Sequence, residues 1–201
     1  MLLMPRAKWV LPAPPALPTE HQLEKLAPRE VLDSPEGAAV RRAANERAAV
    51  IDMLAKLSKQ DRALLPDVEP TVKILVERVA QVAQMLHRLN QSLDWRLIDE
   101  LDSKIAEGSR QTPTPEGQRR LSLLQRQRDT LEQLVQRRAE LMKQLDSAGL
   151  ALGNLRLDLI KFQSSGLQSA LSDVSTATQE ARALSRDIDA LLDAAAEMKS
   201  L

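Results

Sequence analysis

Leu131–Phe162, LEQLVQRRAELMKQLDSAGLALGNLRLDLIKF, keeps one spacing from end to end. Leu131, Leu134, Arg138, Leu141, Leu145, Ala148, Leu152, Leu155, Leu159 and Phe162 alternate steps of three and four without a slip. That spacing holds one stripe of a helix against a neighbouring helix, as in the seam of a coiled coil. No proline follows Pro115, so the backbone permits long, continuous helix through the rest of the chain. The stretch predicts an all-α protein of long antiparallel helices, a coiled-coil-like hairpin or elongated bundle that presents helix surfaces to other helices.

Upstream the same spacing returns in Val72, Leu75, Val79, Val82, Leu86, Leu89 and Leu93. It predicts a helix from about 70 to 107, continuing past Trp95 through Ile98, Leu101 and Ile105, roughly 50 Å long at about 1.5 Å per residue. Gly108 to Pro115, with Thr112-Pro-Thr-Pro, reads as a polar hairpin loop, and Thr114-Pro115-Glu116 restarts helix with proline in its first turn. A third helix should run from about 115 to 164. Near Ser164-Ser165-Gly166 the apolar phase changes, which predicts either a break or a stutter before a last helix from 167 to 199.

Ahead of these lies a shorter helical segment, 34–65. Ser34-Pro35 reads as a cap followed by a first-turn proline, and Val40, Ala43, Arg47, Val50, Leu54 and Leu57 share one face. Leu65-Pro-Asp-Val-Glu-Pro70 makes a corner, since two prolines remove donors and bias the preceding residues away from helix. Residues 1–33 read as a proline-rich extended arm. Pro5, Pro12, Pro14, Pro15 and Pro18 crowd its first part, which reads either as a flexible tail or as an arm ordered by a partner, with Trp9, Val10 and Leu11, beside Lys8, as its apolar grip.

Composition narrows the function. Trp9, Trp95 and Phe162 are the whole aromatic content, and the apolar residues are otherwise mostly Leu, Ala and Val, as in long helices. Lys plus Arg equal Asp plus Glu, 28 against 28, so no basic excess favours nucleic acid or an acidic membrane. Without cysteine there is no disulfide, thiolate nucleophile or thiolate metal site. No run reaches the roughly 18 to 20 apolar residues of a transmembrane helix, and prolines interrupt any signal-peptide core. The expected place is the cytoplasm, including the cytoplasmic face of a membrane complex.

No catalytic, cofactor or metal residue can be nominated. His21 and His87 lack a ligand-spaced partner, and Asp99, Glu100 and Asp102 diverge around a helix and cannot chelate one ion. The six glycines are scattered and form no phosphate loop. Gly149 and Gly153, one turn apart, mark either close helix packing or local flexibility. Arg138 stands in the seam between Leu134 and Leu141, as Arg47 stands between Ala43 and Val50; it either fixes register against a carboxylate or reaches out to solvent. Leu150, Leu157 and Ile160 lie opposite the seam. A helix apolar on two sides needs two neighbours, either another helix of this chain or a surface kept for another protein or a second copy.

Three stretches resemble the C-terminal helical region that follows the catalytic domain in some bacterial serine/threonine protein kinases. They are Leu65-Pro-Asp-Val-Glu-Pro-Thr-Val72 with Leu75-Val-Glu-Arg-Val79, then Ala148-Gly-Leu-Ala-Leu152 with Asn154-Leu-Arg-Leu-Asp-Leu159, and Ala177-Thr-Gln-Glu-Ala-Arg-Ala-Leu-Ser-Arg-Asp-Ile188. The resemblance covers roughly residues 28 to 198. No Gly-rich loop, His-Arg-Asp loop or Asp-Phe-Gly accompanies it, so it implies the helical region without its kinase and carries over no catalytic residue. The expectation is a non-catalytic scaffold or accessory subunit that mediates protein–protein interaction, a peripheral subunit of a large, membrane-associated complex being one form of it; the alternative is a regulatory or dimerisation module acting on a kinase or other signalling enzyme. Its partners would be protein subunits met through the helix faces and the arm.

Overall fold

The structure is a computed structural model that describes residues 17–94, 96–110, 112, 114–165 and 168–197. Among them are eight helices and no strand: α1 (Glu20–Glu24), α2 (Arg29–Leu32), α3 (Gly37–Lys56), α4 (Lys59–Ala63), α5 (Val68–Ser92), α6 (Arg96–Arg110), α7 (Pro115–Ser165) and α8 (Gln168–Glu197). The protein is all-α.

The seam acts as its spacing predicts. Leu141, Ala148, Leu152, Leu155, Leu159 and Phe162 of α7 are buried, joined by Val72, Leu75, Val79, Val82 and Leu86 of α5 and by Ala170, Val174, Ala181 and Ile188 of α8. Val50 and Leu54 of α3 complete this core. Side-chain pairs give the directions. Glu46 with Arg156 and Met53 with Gln163 advance together, so α3 and α7 run parallel. Thr71 with Arg182 and Arg78 with Asp189 do the same for α5 and α8. Lys161 with Asp173, and Arg137 with Leu191, run in opposite senses, so α7 and α8 are antiparallel. α3, α5, α7 and α8 therefore form an up-down-up-down four-helix bundle, in which α7 packs on all three of the others.

Four expectations change. The helix expected over 70–107 is two: α5 ends at Ser92, Leu93 takes extended backbone, and the carboxylate of Asp94 accepts the Arg96 amide to start α6. The extended arm expected to residue 33 becomes helical at Glu20. The Thr19 amide donates to the Gln22 side chain at 3.0 Å, and Leu23, Ala27, Val31 and Leu32 are buried against α3 and α5. The segment 34–65 is not a separate unit, because α3 belongs to the bundle. Ser34 and Pro35 also lie in a turn ahead of α3, not on its first turn: the Gly37 and Ala38 amides donate back to the Ser34 and Pro35 carbonyls. Gly37 is required there, since a Cβ would sit 2.2 Å from the Leu32 carbonyl oxygen. The expected break near Gly166 falls on residues 166 and 167, outside the described residues.

α6 and the first half of α7 form a hairpin of their own. Asp102 pairs with Arg128 at 3.2 Å, and Leu121 reaches Gly108, which sets the two helices antiparallel. Leu101 is the buried residue of α6, whereas Leu123 of α7 is 62% exposed.

Candidate functional site

Two places gather the residues singled out from the sequence. The first is a polar cluster where the start of α3 meets the end of α5 and the middle of α7. Glu36, the residue before α3, accepts a hydrogen bond from Asn90 Nδ2 at 2.7 Å, and its other oxygen lies 3.4 Å from His87 Nδ1. Asn90 Oδ1 accepts from Arg138 Nε at 2.7 Å. Gln91 Nε2 stands 2.9 Å from His87 Nε2; with that amide donating, the ring proton sits on Nδ1 and faces Glu36.

The side chains of Glu36 and His87 are mostly buried. Burial, the largest influence on Glu36, opposes its charge. The nearby Ser34 side chain, the Glu36 backbone, Asn90 and His87 outweigh it and hold the carboxyl below the usual range. The cluster thus ties three helices at one level. Arg138 joins the network through the amide oxygen of Asn90, whose own amide group donates to Glu36. Both nitrogens of His87 face protein side chains, an arrangement that orients the ring within the bundle.

Sequence reading missed this network because Glu36 lies 51 residues from His87 and His87 has no carboxylate beside it on its own helix. Glu36 itself carried one signal, since it follows the Ser34-Pro35 helix start. Arg47, the other seam arginine, is half-buried and lines an open groove of about 960 Å³ among α1, α3 and α5, with Leu26, Ala48, Ile51 and Gln84. Among the described residues, no group of three or more His, Asp or Glu is placed to hold a metal ion, and no helix is long and apolar enough to cross a membrane.

The second place is the outer face of α7. Leu150 is 69% exposed, Leu157 58% and Ile160 45%, while Leu152, Leu155 and Leu159 on the same helix are fully buried. α3, α5 and α8 all pack on the inner side, so the helix of this chain that could have covered the outer face is absent among the described residues. Gly149 and Gly153 lie on that face too, and a Cβ at either would meet nothing within 4 Å. Trp9, Val10 and Leu11 lie outside the described residues. No protein-family model matches the chain, nor does any curated protein or solved structure.

Proposed function

We propose that the chain is a non-catalytic helical scaffold or accessory subunit that joins proteins through the outer face of α7. One observation carries the reading: a helix already buried on its inner side against three neighbours keeps Leu150, Leu157 and Ile160 in water on its outer side. Isolated exposed leucines are ordinary on a protein surface, but aligned ones beside two glycines that no internal contact requires are what a helix-docking surface needs. The polar cluster suits the same role, since its hydrogen bonds tie α3, α5 and α7 together at one level. A peripheral position on a large complex, including a membrane-bound one, is the setting in which the apolar Trp9–Leu11 stretch would also find a partner.

The test is native purification from soluble and membrane fractions separately, with mass spectrometry of what travels with the chain. A stoichiometric complex that loses this chain when Leu157 is changed to Asp supports an accessory subunit. A kinase or other signalling enzyme as the companion, with its phosphorylation output changed on deleting this chain, would replace the scaffold by the regulatory module. Turnover of any substrate surviving purification and dying with His87→Ala would overturn both.

A further inference from the structure

The exposed stripe on α7 is self-complementary. Met142, Asp146, Gly149, Leu150, Gly153, Leu157 and Ile160 share one face of the helix, opposite the buried seam. Asp146 bounds the central apolar stretch on its N-terminal side and Lys161 on its C-terminal side, with Leu150 and Leu157 evenly placed between them. We infer that this face docks a second copy of the chain, α7 against α7, antiparallel about a two-fold axis passing between Gly153 and Asn154. The inference rests on the scaffold reading and names the partner of its surface.

The two-fold axis sets Leu150 against the partner's Leu157, and Asp146 against the partner's Lys161, each contact occurring twice, as an isologous interface requires. A parallel arrangement would instead set Asp146 beside its own copy and Lys161 beside its own, two like-charge repulsions. Charge therefore chooses the antiparallel sense. Lys161 pairs with Asp173 at 2.5 Å within the chain; an ammonium has three donors and can serve a second carboxylate at the same time.

The glycines supply an independent argument. Glycine inside a helix is unfavourable relative to alanine, and neither Gly149 nor Gly153 is forced by its own fold, because the space above both is open. Gly37 shows the contrast, since there the Leu32 carbonyl occupies the place of a Cβ. Two glycines one turn apart on an outward face let another helix backbone approach closely, and the crossing point of the proposed dimer falls beside Gly153. One helix crossing lies at the low end of specific interfaces, below about 1,200 Å² in total. The dimer should accordingly dissociate in the micromolar range, on the order of 1–100 μM.

Sedimentation velocity on the full chain, from about 1 to 200 μM, tests this. The wild type should shift from monomer to dimer across that range. Gly153→Leu and Leu157→Asp should each weaken association at least tenfold while leaving helix content intact, since both side chains point away from the core. Asp146→Lys and Lys161→Glu should each weaken it, and an equimolar mixture of the two should associate more tightly than either alone, because every crossing then pairs opposite charges. A monomer at every concentration overturns the dimer; if that monomer still purifies with other subunits through Leu157, the scaffold reading survives its loss. Association indifferent to Gly153→Leu and Leu157→Asp, or no recovery on mixing, overturns it as well.

Discussion

The two halves of α7 share one helix and one spacing, yet they live in different surroundings. From Leu141 onward the seam is buried among α3, α5 and α8 except at half-buried Leu145; before it, Leu131 and Leu134 are only half-buried, and Leu123, off the seam, is exposed, with α6 as the companion helix. The three-four pattern is common to both, so it records which side of the helix faces a neighbour and not how many neighbours there are. Burial, and with it stability, follows the number of neighbours.

The widest expected gap is between matched leucines. Leu155→Ala in the bundle should cost about 2–5 kcal/mol, the range for truncating a fully buried leucine. Leu131→Ala should cost under about 1 kcal/mol, as for a half-exposed site. Urea denaturation of the two variants checks this, and equal losses would mean that the outer half is packed as tightly as the inner.

Glycines sharpen the contrast next. Gly37→Ala forces a Cβ onto the Leu32 and Val31 carbonyls, backbone that cannot step aside, so the loss should reach or exceed the roughly 1–3 kcal/mol usual for overpacking. Gly153→Ala has open space and should gain up to about 1 kcal/mol in the monomer from helix propensity. Opposite signs of the shift in thermal midpoint, at a concentration where the protein is monomeric, would separate a glycine the fold requires from one it does not.

The polar cluster belongs to the bundle half. Asn90→Ala removes the link between Glu36 and Arg138 and leaves both partners partly buried, so a loss of about 1–3 kcal/mol is expected. Glu36 adds a pH signature. Its folded carboxyl titrates below an ordinary Glu, about 4.3, so its stabilisation is complete above that value and disappears as pH falls through the depressed folded pKa. Stability curves of the wild type and Glu36→Gln should therefore differ at neutral pH and converge in acid; curves separated by a constant amount at every pH would remove Glu36 from the acid response.

What the sequence reveals of this molecule follows from range. The seams of α3, α5 and α7 are visible because each is a local repeat, and so is the hairpin loop, with its prolines at 113 and 115. The division after Ser92 is hidden, since Leu93, Leu101 and Ile105 remain apolar across it and only the Asp94 side chain marks the restart. α1 and α2 are too short for periodicity to show, although the Thr19-x-x-Gln22 pair that opens α1 is a helix-start signal amid the prolines. Glu36, His87, Asn90 and Arg138 come together only through the bundle, and nothing local to any of them names the others. The outer stripe of α7 was legible residue by residue, but whether another helix of the chain would cover it depended on the packing of α3, α5 and α8.

The smallest effect belongs to the hairpin. Arg128 pairs with both Asp102 across the helices and Glu132 one turn on, and these carboxylates raise its guanidinium pKa. All three groups are well exposed, so the attraction is screened by salt and adds little to global stability. Asp102→Asn should leave the urea midpoint unchanged. Its consequence should be local: α6 rests on α7 with one well-buried residue, Leu101, so the hairpin opens more readily than the bundle. Hydrogen exchange should show amides of 96–110 and 115–130 exchanging faster than those of 145–162 in the wild type. Asp102→Asn should widen that difference at low salt and not at high salt. Uniform protection along all of α7 would show that the hairpin and the bundle open together, and that neighbours set burial in this helix without setting its cooperativity.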